Sequence, residues 1–567
     1  MGKIFSVRLS AVSALSNVSV AQLALDKLAI ACICCGDFFF DPSPGAMHPF
    51  LQQLFPARAF APALDYPFAR SDVAMLQRLT GEAPSLDGQT WNELLLDQYA
   101  AQLARETSIF GQQELHRRLS GGQADPASIG RIRRLLDDPA QAASLQRACL
   151  PLRQADTEVS ETLFGATLAS APWWSAWLWL VPLALLLAIA ASWLVGWPAL
   201  FGVLAACVAL MTVQVRFYES AKLWERTLDT LRHLLKTRAA LARLDVPAAL
   251  PLAAGGAQAA KLTRAIERSL LHYVPFVDTL LVEYGDWLLL KNVKRYFRTR
   301  QLVAQQLPFL RDSFTQVAQL EADLALTRQL RAAPVFCWAG TAAPRALALQ
   351  GMLHPLLENA APLSFGVQGK GGFISGQNGI GKSTLLRCIG LNLVCARAFG
   401  FCHADSADVP RLAVYASMQN EDSLDGGESL YIAELRRARE LLALAESGAP
   451  ALFLIDEIFR GTNHLESVAA AAAVLHTLAA RHLVIVSSHN LVLGPLLEDC
   501  LAPWCVRRDD AGALLLAPGV LQATNGIALL AQRGFGSAIE AKAGQVFDWL
   551  STHMAQPADC GGVLERG

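Results

Sequence analysis

The sequence predicts two kinds of fold in one chain: a C-terminal α/β domain on a parallel sheet, and before it an all-α region interrupted by a two-helix transmembrane hairpin. Three observations carry this. Residues 162 to 215, 54 in all, contain no charged side chain. A glycine-rich stretch at 376–384 follows the short apolar run 372–375 and opens a helical pattern. Two further apolar runs, 451–455 and 482–486, end in polar residues in the way buried parallel strands do.

The 567 residues exceed the ~250–300 at which a single core stops growing, so at least two domains are expected. Lys plus Arg number 48 against 49 Asp plus Glu, and a net charge of −1 excludes a protein that coats nucleic acid through bulk positive charge. Apolar residues make up 53% and charged ones 17%, against roughly 45–50% and 25% in soluble domains, so some segment belongs in a non-aqueous place. The twelve cysteines are scattered, and the one cluster, Cys32, Cys34 and Cys35, fits neither a zinc site nor a redox pair; free thiols in a reducing compartment are expected.

The uncharged stretch is too long for one span of about 20 residues and long enough for two. Spans are expected at about Trp174–Val195 and Pro198–Val215, with the turn at Gly196-Trp197-Pro198. Six of the twelve tryptophans lie here, grouped at the outer start and the hairpin tip, where an aromatic belt would sit. Arg147 and Arg153 precede the hairpin and Arg216, Lys222 and Arg226 follow it, which makes the flanking side cytoplasmic. The expectation is a multi-pass inner-membrane protein whose bilayer contact is residues 172–215, with both termini and the α/β domain in the cytoplasm. The alternative is a buried helical hairpin in a large soluble core, but such helices keep a polar stripe toward water.

Residues 376–384, Gly376-Gln377-Asn378-Gly379-Ile380-Gly381-Lys382-Ser383-Thr384, match GxxxxGK[ST] in its strand-to-helix setting. The glycines let backbone N–H groups close around phosphates, Lys382 reaches the β- and γ-phosphates of ATP, and the Ser383 hydroxyl ligates Mg²⁺. The run Ala451–Ile455 ends in Asp456 and Glu457. Asp456 would hold Mg²⁺ through water, and Glu457 would deprotonate the attacking water. After His482–Val486 comes Ser487-Ser488-His489, placing His489 to contact the γ-phosphate.

Together these residues resemble the MutS family of ABC-type ATPases. Asn378 in the phosphate loop, the stretch Gly427-Glu428-Ser429-Leu430-Tyr431-Ile432-Ala433-Glu434-Leu435, and Asp456-Glu457-Ile458-Phe459-Arg460-Gly461-Thr462-Asn463 carry the likeness. His354-Pro355 and Asn525-Gly526-Ile527-Ala528 add to it. Gln377 and Ile380 stand where the family usually has Pro and Gly. The resemblance implies an ATPase that works as a homodimer, with Ser429 completing the γ-phosphate site of the opposite subunit. It therefore implies catalytic roles for Glu457, His489 and Ser429, nucleotide contacts from Gly376, Asn378, Gly379, Gly381, Lys382, Ser383, Thr384 and Asp456, and metal ligands Ser383 and Asp456.

Upstream, Thr107–Leu119 resembles the opening of the family's helical core domain, and helical patterns at 216–243 and 300–331 resemble its later part and levers. The expected order is an N-terminal region (1–85), a first helical part (86–165), the hairpin (172–215), a second helical part (216–345), the ATPase domain (346–540) and a tail (541–567). Only about 85 residues precede the helical part, too few for the family's mismatch-recognition and connector domains, although Gly36-Asp37-Phe38-Phe39-Phe40 is similar to the start of the former. A basic patch, Lys291, Lys294, Arg295, Arg298 and Arg300 with Tyr296 and Phe297 between, is read as a solvated face, a contact with anionic lipid, or a DNA clamp. The expected function is ATP hydrolysis coupled to DNA binding through the helical arms at the membrane. The alternative is a non-repair mechanochemical ATPase acting on a protein partner.

Overall fold

The computed structural model describes residues 66–81, 84–165, 171–270, 285, 287–418, 430–446, 448–509, 512–521, 526, 534 and 536–554. Ser429, the 36–40 stretch, Cys32, Cys34 and Cys35, and Asn525, Ile527 and Ala528 lie outside the described residues.

After two short helices at Arg70–Val73 and Met75–Thr80 come α1 (Gly88–Glu93), α2 (Leu96–Leu103) and α3 (Ile109–Ser120). Asp87 caps α1 by accepting from Thr90 N–H, and Ser108 caps α3 by accepting from Phe110 N–H. The sequence reading grouped α1 and α2 with the helical region. In the structure Trp91, Leu94 and Tyr99 share a core with Ile389 and Leu454 of the α/β domain.

The hairpin consists of α4 (Leu180–Val195) and α5 (Leu200–Leu241), turned at Gly196 with φ 78°. α5 continues past Val215, where the second expected span ends, into the helical pattern expected at 216–243. It runs on for 42 residues, about 63 Å, because no Gly or Pro interrupts 203–241. In their most apolar windows only 17% and 11% of residues are buried, so the apolar surface of both helices faces outward.

The pattern at 300–331 resolves into α6 (Lys291–Gln305) and α7 (Leu307–Ala332), broken where Pro308 occupies the first turn of the second helix. Phe110, Leu145, Leu231, Leu234 and Phe314 form the helical core, which joins segments from both sides of the hairpin. Buried carboxylates on α7 reinforce this. Asp323 pairs with Arg118 and Arg131, both at 2.7 Å, and Glu321 accepts from the N–H groups of Ser108 at 2.9 Å and Gly111 at 3.1 Å. Removing one partner of such a buried pair costs about 3–5 kcal/mol.

The α/β domain opens with a small four-stranded sheet (340–341, 346–352, 363–368 and 406–409). Its main sheet is made of β1 (Gly371–Gly376), β2 (Ala413–Ser417), β3 (Ala451–Asp456), β4 (Leu483–Ser487), β5 (Leu501–Arg508) and β6 (Leu514–Pro518). Between them run α8 (Lys382–Phe399), α9 (Leu430–Glu446) and α10 (His464–Ala479). The strand order is β6-β5-β1-β4-β3-β2, parallel except for β6 against β5. Every residue of β1, β3 and β4 is buried, which explains their unbroken apolar runs. The edge strand β2 is covered by α1: Thr90 Oγ1 accepts from Ala416 N–H at 2.8 Å and Glu93 from Met418 N–H at 2.5 Å.

Candidate functional site

β1, β4 and β3 lie side by side, and each delivers its motif at its carboxyl end. In this register Ser487 of β4 sits opposite both Ile374 of β1 and Asp456 of β3. The phosphate loop, the acidic pair and His489 therefore converge at one crevice beyond the strand ends, the usual ligand position in such sheets. The sequence-predicted residues Gly376, Asn378, Gly379, Gly381, Lys382, Ser383, Thr384, Asp456, Glu457 and His489 all belong to these three strand ends or to the first turn of α8.

Gly379 and Gly381 have φ of +73° and +106°, a backbone that side chains strongly disfavour, and a Cβ built on either meets no atom within 4 Å. The loop thus faces open space while its N–H groups and the start of α8 supply an anion cradle. Lys382 is buried at the base of it. Its ammonium donates to the carbonyls of Gly376 at 3.1 Å and Gln377 at 3.3 Å, and its Nζ lies 3.1 Å from His489 Nε2. Burial lowers its pKa, with Asp456 acting in the opposite direction. Ser383 is half-buried and Thr384 exposed in the first turn of α8.

Asp456 is buried and accepts from the Ser487 hydroxyl. Glu457 adopts φ 56°, and two residues later Phe459 adopts φ 60°, left-handed values that cost a non-glycine residue about 1–3 kcal/mol. This turn lifts Glu457 out of the sheet line while its N–H still bonds Ser487 O at 2.9 Å. Its carboxylate then meets His489 Nε2 at 2.7 Å and Arg460 Nη1 at 3.3 Å. Burial, followed by the Lys382 charge, lowers the pKa of His489, and Asp456 works against them.

Three residues quoted within the motifs without a role, Glu434, Arg460 and Gly461, turn out to brace the loop after β3. Glu434 of α9 is buried, accepts from Gly461 N–H at 3.2 Å and lies 3.6 Å from Arg460 Nε. Gly461 allows this approach, since a Cβ there would stand 2.7 Å from the Tyr431 backbone nitrogen. The sequence signal was present in the spacing of an acid one turn into a helix and an Arg-Gly pair after Glu457. Only the tertiary fold shows that they meet.

A nucleotide and its cation fit this donor set. The loop offers N–H groups and an ammonium for phosphates, while Ser383 and Asp456 offer hard oxygens of the kind Mg²⁺ takes. Among the described residues no three His, Cys, Asp or Glu side chains could form an all-protein metal cage, so a cation here would share the phosphates.

Residues 372–501 match the family model of MutS domain V, a stretch that contains the loop, both acids and His489. The chain is 28% identical over 284 residues to the DNA mismatch repair protein MutS of Thermus aquaticus, covering 48% of this chain and 34% of that protein. It is 31% identical over 195 residues to the DNA mismatch repair protein MSH3 of Mycosarcoma maydis, which is 32% of this chain and 17% of that one. Over 134 residues it is 38% identical to the endonuclease MutS2 of Thermus thermophilus, 23% of this chain and 17% of the relative. The chain spans about a third or less of the length of these relatives. With the ordered motifs on one parallel sheet and this match across them, the C-terminal region of the chain is similar to MutS domain V, which supports a member of the MutS family.

Proposed function

We propose that this protein binds and hydrolyses Mg·ATP as a dimer and couples the cycle to its helical arms at a membrane. The observation that carries the reading is the chain of contacts Lys382–His489–Glu457 around an open phosphate loop, with Asp456 beside it. Lys382 exchanges the Gly376 and Gln377 carbonyls for the β- and γ-phosphates, which are stronger, charged acceptors. Glu457, held by His489 and Arg460, takes a proton from the attacking water onto its carboxylate. Bound Mg²⁺ supplies positive charge to the phosphate oxygens. Ser429, from the resemblance, completes the site from the other subunit.

The experiment is Glu457→Gln. The amide keeps the shape but cannot accept the proton, so ATP should remain bound while turnover falls about 10²–10⁴-fold. Near-normal hydrolysis in this variant would remove Glu457 from the role.

DNA is the ligand that the relatives' names suggest for the arms, and this is the first reading. A second reading, a mechanochemical ATPase that moves a protein partner or the hairpin itself, draws on α5, which passes without a break from the apolar hairpin into the helical core. The full-length protein in lipid nanodiscs separates them. Only the first reading expects salt-sensitive duplex binding that changes with nucleotide.

A further inference from the structure

At the foot of the hairpin the fold concentrates positive charge on one short helix. Residues 291–300 at the start of α6 hold five Lys or Arg and no acid. The apolar side of this helix is anchored to the hairpin: Val293 and Phe297 are buried with Leu178 and Leu210, and the rings of Trp174 and Phe217 lie 5.4 and 5.3 Å from that of Phe297. Polar clasps fix the height. Gln214, buried within the uncharged stretch, donates to Trp287 O at 2.6 Å and accepts from Asn292 Nδ2 at 2.9 Å. Ten residues further along α5, Trp224 Nε1 donates to Thr299 Oγ1 at 2.9 Å.

α6 therefore starts level with the end of the second apolar segment and runs beside α5 away from it. From Asn292 to Thr299 it covers about 10 Å, comparable to the ~5–8 Å headgroup layer of one leaflet. Arg295 pairs with Glu225 at 3.1 Å, and Arg300 donates to the Tyr296 hydroxyl at 2.7 Å. Lys291, Lys294, Arg295 and Arg298 lie on one face at spacings of three and four, with Lys291 and Arg298 exposed and Lys294 and Arg295 half-buried.

We propose that this face of α6 binds the phosphates of anionic phospholipid headgroups in the leaflet around the hairpin, and so seats the helical arm on the membrane surface. The inference rests on the hairpin spanning a bilayer. Its chemistry is charge-assisted hydrogen bonding from ammonium and guanidinium groups to phosphate oxygens. A nucleic-acid backbone offers the same oxygens, but a duplex laid on this short patch at the hairpin foot would collide with the leaflet.

The test uses the full-length protein in phosphatidylcholine vesicles carrying spin-labelled phosphatidylglycerol or spin-labelled phosphatidylcholine, with protein-associated lipid read by electron paramagnetic resonance. The wild type should favour phosphatidylglycerol several-fold, and the preference should shrink when salt rises from about 0.1 to about 0.5 M. Lys291→Gln, Lys294→Gln and Arg298→Gln together should bring the two lipids near parity. Equal association of both lipids with the wild type overturns the proposal, and so does a preference that survives in the triple variant. A triple variant that loses duplex binding while keeping its lipid preference reassigns the face to nucleic acid. Release of the wild type by carbonate without detergent is a different failure, because it removes the hairpin reading itself.

Discussion

His489 has one Nε2 and two claimants. Protonated, that nitrogen donates to Glu457; unprotonated, it accepts from Lys382, and it cannot do both. In the proposed cycle, phosphates that draw Lys382 away would resolve the competition in favour of Glu457, so that ligand binding itself would orient the proposed base. His489→Ala should then slow hydrolysis by about one to two orders of magnitude, less than Glu457→Gln, with nucleotide affinity kept because the loop is intact. Equal losses in the two variants would give His489 a direct part in the proton transfer. The buried histidines make a separate, pH-dependent case. Burial depresses the pKa of both His354 and His403 to about 4. The unfolded chain takes up protons first as pH falls through about 6.5, so their stabilisation is complete above that value and drains away toward pH 4. Each should cost about 2 kcal/mol by pH 5. The thermal unfolding midpoint should fall between pH 7 and pH 5, and His403→Gln should flatten that fall; an unchanged slope would contradict the assignment.

Among elements, α9 and the loop after β3 behave as one unit. Glu434 joins them through Gly461 N–H and Arg460, and Arg460 reaches Glu457. Glu434→Ala leaves a buried donor and a loosened Arg460, a cost of about 1–3 kcal/mol falling on the geometry of Glu457. The turnover number should drop about tenfold or more while the KM for ATP stays close to wild type, and Glu434→Gln should recover part of it through the Gly461 bond. A raised KM with unchanged turnover would show instead that α9 supports nucleotide binding. Neither partner's role could be read locally, since 26 positions of sequence separate Glu434 from Arg460. What was legible were β1, β3 and β4, because strands buried on both faces cannot carry a polar residue until they end at the crevice. The helical pattern at 216–243 was legible, and α5 ends within two residues of it; that it forms one helix with the apolar segment before it was not. Hydropathy changes at Arg216, but helix propensity does not, and α5 follows propensity. The break at Gln306 was missed for the opposite reason: Pro308 starts a helix inside an otherwise continuous pattern. The docking of α1 on β2 depends on Thr90 and Glu93 meeting backbone groups more than 300 residues away, which no local pattern encodes.

For the whole molecule, the question is whether one chain can complete its own site. The loop, Lys382, Asp456, Glu457 and His489 come from three adjacent strand ends of a single chain. Phosphoryl transfer passes through a loose transition state whose charge spreads over the equatorial oxygens, so donors are needed on the far side as well. If Ser429 of a second subunit supplies them, neither Ser429→Arg nor Lys382→Ala should hydrolyse ATP alone. In a mixed dimer, one site joins an intact Lys382 to an intact Ser429 and the other combines both defects. After free exchange of equal amounts, half the dimers are mixed and one site in each is whole, so activity should recover to about a quarter of wild type. The arginine at 429 should be more damaging than alanine there, because it adds bulk at a close phosphate contact. Mixtures as inactive as each variant alone would place Ser429 in the same subunit as the Lys382 it serves.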